Sequence, residues 1–194
     1  MGSAGLSLIH TLVNIYLLLL MLRFLLQASR ADYYNPLSQS LVKITQPVVG
    51  PFQSFLGPVA GRFDLATLAA GFALKVISLV AVFMLFFSGM GVPVVPILIA
   101  GVAALASAIL KIYFFALIVM IILSWVAPNA SHPGALLVMQ LVEPIMAPVR
   151  KVIPPLGMID LSPIVVFIAI NLIDGFVVGS LIRATGLPST WIGL

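Results

Sequence analysis

The 194-residue sequence contains no cysteine, and charged residues make up only 7% of it. Without cysteine the chain can form no disulfide, no thiolate metal site and no cysteine nucleophile. An ordinary soluble domain carries roughly a quarter charged residues. Because 62% of the residues are hydrophobic, a soluble fold of this size would expose too much apolar surface to water. The composition therefore predicts an integral membrane protein.

The sequence also lacks the residue patterns of common active sites. It has no Ser-His-Asp spacing, no glycine-rich phosphate loop and no cluster of metal ligands. Its nine lysine and arginine residues are scattered and are not interleaved with aromatic residues, which disfavours nucleic-acid binding. We therefore predict a protein that is not an enzyme, holds no cofactor or metal, and binds no nucleic acid.

Four apolar stretches are long enough to cross a membrane: residues 9–26, 65–87, 109–126 and 164–182. A membrane-spanning helix needs about 20 residues, since each residue adds about 1.5 Å to its length. The third stretch follows another apolar segment, residues 94–108, whose small residues favour close helix packing. We predict an N-terminal extension of the third span or an interfacial segment there, with a fifth span as the alternative.

The chain contains an internal repeat. A shift of 97 positions places four prolines of one connection on four prolines of the other. These are Pro36, Pro47, Pro51 and Pro58, which align with Pro133, Pro144, Pro148 and Pro155. We assign residues 9–88 to a first repeat, residues 89–108 to an apolar connecting segment and residues 109–184 to a second repeat. The predicted fold is an all-α integral membrane protein with four transmembrane helices in two parallel tandem repeats.

Each repeat has a long proline-rich connection between its two spans. In the first connection, apolar residues recur at helical spacing (Leu37, Leu41, Ile44 and Val48), which predicts a short amphipathic helix in the headgroup layer. Residues 135–142 of the second connection are more apolar and are expected to lie deeper. We expect proline to stop each helix, because it removes a backbone donor and clashes with the preceding turn. A rigid surface loop is the alternative interpretation.

The two connections hold five basic residues, Arg30, Lys43, Arg62, Arg150 and Lys151, whereas the opposite side holds no basic loop residue unless Lys111 or Arg183 reaches it. Because cytoplasmic loops carry an excess of lysine and arginine, both connections are predicted to be cytoplasmic and both termini to lie outside. His10 and His132 would then lie on opposite faces of a hydrocarbon core about 30 Å thick. Within one copy of the chain, the two histidines could therefore not both ligate the same haem, and we predict no haem site.

A specific motif runs through the second connection. It comprises Ser124-Trp125, His132-Pro133, residues 143–150 (EPIMAPVR), residues 154–157 (PPLG) and Asp160-Leu161-Ser162-Pro163. This motif resembles the signature of the YggT family, and the resemblance covers nearly the whole chain. Val142 stands where the family usually has threonine, and Gln27-Ala28 replaces the Ser-Trp pair in the first copy.

The resemblance implies a multi-pass protein of the bacterial inner membrane, but no single activity. Bacterial relatives are associated with osmotic-stress tolerance and potassium uptake, or with organisation of the division site or nucleoid. Plastid relatives resemble assembly factors for haem attachment to a cytochrome. Two hypotheses follow. The first is a scaffold or assembly protein that binds other membrane proteins. The second is a potassium or proton transporter or channel component, which would need to form a homo-oligomer.

Lys75 and Asp174 are predicted to lie near the middle of the bilayer. With one deletion after the aligned prolines, Asp64-Leu65 aligns with Asp160-Leu161; Lys75 and Asp174 follow these aspartates at similar distances, and Asn171 occupies the repeat position of Lys75. Charges inside a membrane usually pair and face the interior of the helix bundle. We predict a Lys75–Asp174 pair. It is either a structural salt bridge or, with Asn171, part of an ion or proton path.

The scaffold hypothesis places a docking surface on the connections. Its predicted residues are Pro47, Pro51, Glu143, Pro144, Pro148, Arg150, Asp160, Ser162 and Pro163. Arg150 and Lys151 are expected to contact anionic lipid headgroups. Arg23 is expected to extend from its span to the membrane interface, with an anion site as the alternative.

Overall fold

The computed structural model describes residues 2–56, 63–86, 91–126, 132–153 and 160–193, and regular structure in these ranges is entirely helical. The elements are α1 (Gly2–Ala28), α2 (Pro36–Leu56), α3 (Leu65–Phe86), α4 (Val94–Val126), α5 (Pro133–Val152), α6 (Ser162–Ile173), a π-helical turn (Asp174–Val178), α7 (Gly179–Thr185) and α8 (Ser189–Ile192). Pro58, Arg62, residues 154–157 and the predicted repeat boundary at residues 88 and 89 lie outside the described ranges.

Four helical stretches are long and apolar enough to span a membrane: Ala4–Ala28, Leu65–Leu85, Val94–Val126 and Ser162–Thr185. The prediction of an all-α protein with four spans is confirmed. Residues 94–108 are the N-terminal part of the continuous helix α4, so the described ranges contain no fifth span. Pro96 does not interrupt α4 because it lies in the first turn, where backbone N–H groups have no partner within the helix.

Helix α4 lies at the centre of the bundle, where it packs against α1, α3, α5, α6 and α7. Its N-terminal half carries a run of small, buried residues: Ala100, Gly101, Ala103, Ala104, Ser107 and Ala108. Small side chains allow helix backbones to approach closely, and in a membrane such van der Waals packing is a main source of helix association. At the end of the bundle away from the connections, Ile192 of α8 is buried against Leu79 and Ile97.

The two connections form helices that continue through their prolines. Helix α2 contains Pro47 and Pro51, and α5 contains Pro144 and Pro148. The expectation that proline would stop these helices is therefore wrong, and so is the alternative of a rigid surface loop. Both helices are amphipathic, as predicted for the first connection, and bury one face against the spans.

Tertiary hydrogen bonds hold α2 against α1 on either side of the carbonyl that Pro47 leaves without its helical donor. Pro47 cannot donate a hydrogen bond to the carbonyl of Lys43, one turn earlier. The carbonyl oxygens on either side accept hydrogen bonds from α1: Tyr16 Oη donates to Ile44 O at 3.0 Å, and Arg23 Nη1 approaches Val42 O at 3.5 Å. In membrane proteins, side chains of neighbouring helices commonly satisfy carbonyls near an interior proline.

The two halves of the chain contain the same order of elements. Each has a long apolar helix, then an amphipathic helix with two interior prolines, and then a second apolar stretch. This order agrees with the tandem repeat expected from the proline spacing, which stays a prediction. The halves also meet directly. Asn35 Nδ2 donates to Pro133 O at 2.8 Å, and the Asp32 backbone N–H donates to Gln140 Oε1 at 2.9 Å.

Candidate functional site

Lys75 is the largest fully buried side chain among the described residues, with 0% exposure. It lies in the middle of α3, and its Nζ donates a hydrogen bond to Asn14 Oδ1 of α1 at 2.9 Å. Asn14 Nδ2 in turn donates to the carbonyl oxygen of Gly193. Lys75, Asn14 and the Gly193 carbonyl therefore form a polar chain inside the bundle, in which an amide replaces a counter-ion.

The predicted pair between Lys75 and Asp174 is not formed. Asp174 and Asn171 are both exposed on the outer surface of the fourth span, and Asn171 Nδ2 donates to Phe167 O of its own helix at 2.8 Å. Ion pairs among the described residues involve only Arg150. The prediction failed because equal depth in the membrane does not fix the direction in which a side chain points around its helix.

The backbone changes at Asp174. Here the span leaves the α-helical pattern for one π-helical turn, and the Gly179 N–H donates to Asp174 O, five residues earlier. A π-helical turn inserts one residue into a helix and frequently marks a functional site. It rotates the helix after it relative to the helix before it. This local change was not visible in the hydrophobic pattern.

Asn14 is the residue that sequence reasoning missed. A signal for it was present, because the 97-residue shift that aligns the prolines also places Asn14 on Lys111, and the one-residue deletion that aligns Asp64 with Asp160 places Lys75 on Asn171. The spans of each half thus carry one lysine and one asparagine, in exchanged positions. Only the first pair is joined by a hydrogen bond among the described residues. Lys111 is exposed and, with Asn14, borders a small cavity of about 40 Å³.

The two histidines lie at opposite ends of the bundle. His10 is buried in α1, next to Gly193, and neither ring nitrogen has a hydrogen-bond partner among the described residues. His132 caps the first turn of α5, where its Nδ1 accepts from the Gly134 N–H at 3.2 Å. Within the described ranges, no group of three or more His, Asp or Glu side chains could hold a metal ion.

The predicted motif residues of the second connection form one cluster around Arg150. Its Nη1 lies 3.1 Å from Glu143 Oε2, and its Nε lies 3.0 Å from Asp160 Oδ2. Asp160 Oδ1 also accepts from the Ser162 backbone N–H at 2.8 Å, which satisfies a free donor at the start of α6. Ser162 and Pro163 are buried beneath it. The cluster therefore ties α5 to the start of the fourth span.

The first connection uses a different set of residues for the same task. Asp64 is 1% exposed, and its carboxylate accepts from the Thr67 N–H and hydroxyl at 3.1 and 2.6 Å. Arg23 does not extend to the interface as predicted. It is buried in α1, where its Nη1 and Nη2 donate to Thr45 Oγ1 and Gln46 Oε1, both at 3.0 Å. Arg23 thus fixes α2 against the bundle.

Acid should weaken the Arg150 cluster. Burial alone would raise the pKa of Asp160, but hydrogen bonds from Ser162 and Arg150, with the charge of Arg150, lower it below the usual aspartate value. Because the folded-state pKa is lowered, the ionised Asp160 stabilises the protein at pH values above the unfolded-state pKa of about 3.9. This stabilisation is lost as the pH falls through the folded-state pKa. We expect the Tm to fall on acidification from about pH 5 to about pH 3, and to fall less in Asp160→Asn. The exposed Asp32→Asn serves as control; equal pH dependence in all three proteins would contradict the prediction.

An apolar groove of about 770 Å³ lies between the two halves on the side of the connections. It is bordered by α1, α2, α4 and α5, and its lining is mostly aliphatic, including Leu26, Leu41 and Leu137. Pro47 and Pro51 of α2 and Pro144 and Pro148 of α5 are exposed or half-buried. They lie close in the sequence to the residues of the same helices that line the groove. The connections are therefore two helices that border one groove, rather than two separate loops.

Comparison with known proteins places the chain in one family. The model of the CCB3/YggT family matches residues 2–85 and 99–181. An uncharacterized protein of Pseudomonas aeruginosa is 43% identical over 97% of this chain and 95% of its own length. The uncharacterized YggT protein of Escherichia coli K12 is 35% identical over 96% of this chain and 97% of its own. No solved structure matches the chain. The chain belongs to the CCB3/YggT family and has the four apolar helices of a multi-pass membrane protein.

Proposed function

We propose that this protein is a non-enzymatic scaffold of the bacterial inner membrane, whose fourth span binds a transmembrane helix of another membrane protein. The observation that carries the proposal is the outward-facing carboxylate of Asp174. It lies 12 residues after Ser162 and 11 before Thr185, the ends of the fourth span. At about 1.5 Å per residue, it is about 17 Å from either end of that span.

A carboxylate at this depth needs a partner. Placing an aspartate at the centre of a membrane-spanning helix costs about 2.5 kcal/mol or more, and such residues almost always face the bundle interior or a water-filled cavity. Asp174 faces neither, and its side chain forms no hydrogen bond or ion pair with the described residues. Its short side chain cannot reach the membrane interface. A polar side chain from a second protein would remove this cost.

The surroundings of Asp174 fit a helix from a membrane protein. We define the fourth-span face as Asn171, Asp174 and Val177, which are spaced three residues apart on the helix and are all exposed. It combines an acid and an amide with an apolar side chain, so it would pack against an apolar helix and also bind a basic side chain. Charge complementarity therefore favours a partner helix with lysine, arginine or histidine near its midpoint.

The alternative of ion transport receives less support. A transport path was expected to run through Lys75, Asn171 and Asp174, but Lys75 faces the interior while the other two face outward. The cavity beside Asn14 and Lys111 holds only about 40 Å³, little more than one water molecule occupies in the liquid. The connections, which the positive-inside tendency places in the cytoplasm, would then serve to hold the spans in position.

Site-specific photocrosslinking in cells tests the scaffold proposal. A crosslinking residue at position 177 should form adducts with a membrane protein, and the adduct site should lie in a span with a basic residue near its midpoint. Asp174→Leu should reduce these adducts about fivefold or more, because polar contacts between membrane helices contribute about 1–2 kcal/mol. The matched control is position 77 on α3, since Ile77 and Val177 are both exposed apolar residues of a span, at 67% and 51%.

Three results would contradict this proposal. Adducts that persist in Asp174→Leu would show that the carboxylate does not hold the partner. Adducts only between two copies of this chain would assign the face to self-association, for which Lys111 offers the opposite charge. Potassium or proton flux in liposomes that is lost in Asp174→Asn would favour the transporter instead.

A further inference from the structure

A polar cavity of about 510 Å³ lies where α1 ends and α2 begins. Its polar lining consists of Arg23, Gln27, Arg30, Tyr33, Ser38 and Gln46, and its apolar lining of Leu26, Ala31, Leu41 and Val42. We call it the Arg23–Arg30 cavity. The cavity contains two arginines, and none of the described side chains that line it is acidic.

Arg23 provides a buried positive charge without an ion pair. It is 7% exposed, and its hydrogen bonds go to neutral acceptors on Thr45, Gln46 and Val42. The nearest acid that affects it, Asp64, has its carboxylate occupied by Thr67. A buried guanidinium is ordinarily matched by an anion. The fold supplies none within hydrogen-bond distance among the described residues.

Ser38 provides an unused hydrogen-bonding group at the same place. The residue is 6% exposed, and its Oγ has no hydrogen-bond partner among the described residues. Buried hydroxyl groups in native proteins nearly always have a partner. Because Ser38 lines the Arg23–Arg30 cavity, a ligand bound there would satisfy it.

Arg30 occupies a backbone position that normally favours glycine. Its φ is 56°, and the Arg30 and Ala31 N–H groups donate to Gln27 O and Leu26 O at 3.0 and 2.9 Å. These bonds form the left-handed motif that ends many helices, in which glycine is the usual residue at this position. An arginine here is conformationally less favourable than glycine, so the backbone alone does not account for this residue. That side chain lines the cavity.

These observations assign a binding site for a phosphate group to the Arg23–Arg30 cavity. Two guanidinium groups provide the forked donors that match phosphate oxygens. Ser38, Gln27 and Tyr33 add neutral hydrogen-bonding groups. The aliphatic part of the lining suits a glycerol or acyl segment, and the cavity lies beside the amphipathic helix α2, which is predicted to lie in the headgroup layer. The phosphate could belong to a phospholipid or to a soluble molecule, which the experiment must separate.

The experiment is a ligand titration of the purified full-length protein in detergent, followed by native mass spectrometry. The probes are phosphatidylglycerol, diacylglycerol with the same acyl chains, and inorganic phosphate. We expect phosphatidylglycerol to bind and diacylglycerol not to bind. Arg30→Gly should weaken phosphatidylglycerol binding about tenfold or more, since one charge-assisted contact is lost. This variant should fold well, because glycine is preferred at the position.

Lys43→Gln is the matched control, because it also removes one exposed positive charge from α2 but lies outside the cavity lining. Its effect should stay below about twofold, as expected for a surface charge. If inorganic phosphate competes with phosphatidylglycerol, the ligand is a soluble phosphate compound. If it does not compete, the ligand is a lipid headgroup, and both results support the site. Equal binding of diacylglycerol, or equal losses in Arg30→Gly and Lys43→Gln, would overturn it.

Discussion

Replacing Asn14 with leucine will lower the free energy of unfolding by about 3 kcal/mol or more. Lys75 is fully buried, and its Nζ has Asn14 as a hydrogen-bond partner at 2.9 Å. Removing one partner of a buried polar pair leaves the other group desolvated and unsatisfied, which costs about 3–5 kcal/mol for a charge. Replacing both partners with apolar groups of similar shape is often nearly neutral.

The double variant Asn14→Leu/Lys75→Met should therefore be more stable than Asn14→Leu alone. Unfolding in mixed micelles, followed by circular dichroism, would give all four corners of this mutant cycle. Asn171→Leu is the matched control, because this asparagine lies on the outer surface and bonds only to its own helix. If adding Lys75→Met does not rescue Asn14→Leu, the lysine does not depend on the amide.

Gly101→Ala will destabilise the contact between α3 and α4 by about 1–3 kcal/mol, as expected for overpacking. A Cβ at this position would lie 2.8 Å from Phe72 Cε2 and 3.1 Å from Val76 Cγ2. The aromatic ring and the β-branched side chain have little freedom to move within helices. The preference of helices for alanine over glycine, about 1 kcal/mol, opposes the loss but does not exceed it.

Gly71→Ala provides an informative comparison. Its Cβ would lie 2.7 Å from Met21 Cε, equally close. Methionine is unbranched and adapts its shape readily, so this variant should lose less stability than Gly101→Ala. Gly5→Ala meets nothing within 4 Å and should not be destabilised. The same unfolding assay measures all three, and a larger loss in Gly71→Ala than in Gly101→Ala would reverse the expected order.

The four spans could be predicted because crossing a membrane depends on local composition and length, which a sequence states directly. The helices through Pro47 and Pro144 could not, because proline lacks a backbone donor and local propensity disfavours it inside a helix. Only the folded chain brings Tyr16 and Arg23 of α1 to the carbonyls near Pro47.

The candidate site could be predicted only in part, because some of its features also depend on tertiary packing. The depth of Lys75 and Asp174 followed from their distances to aligned aspartates, but the side on which each lies depends on helix packing and on the π-helical turn. The contacts of Arg150 with Glu143 and Asp160 join residues that the motif had already singled out. Asn14 escaped notice because asparagine carries no charge, although the repeat spacing placed it opposite Lys111.

The length of α4 has a consequence for the lipid around the protein. Its 33 residues extend about 50 Å, whereas the hydrocarbon core is about 30 Å thick. Tilting alone would have to exceed the range of about 0–40° seen in membrane proteins. The N-terminal end of α4 exposes Val94, Val95 and Leu98, so apolar surface extends past the core. A tilt within this range together with a locally thicker bilayer would cover it. Proteins with similarly long spans reduce this hydrophobic mismatch when they share the thickened zone, so the deformed bilayer itself would draw them together.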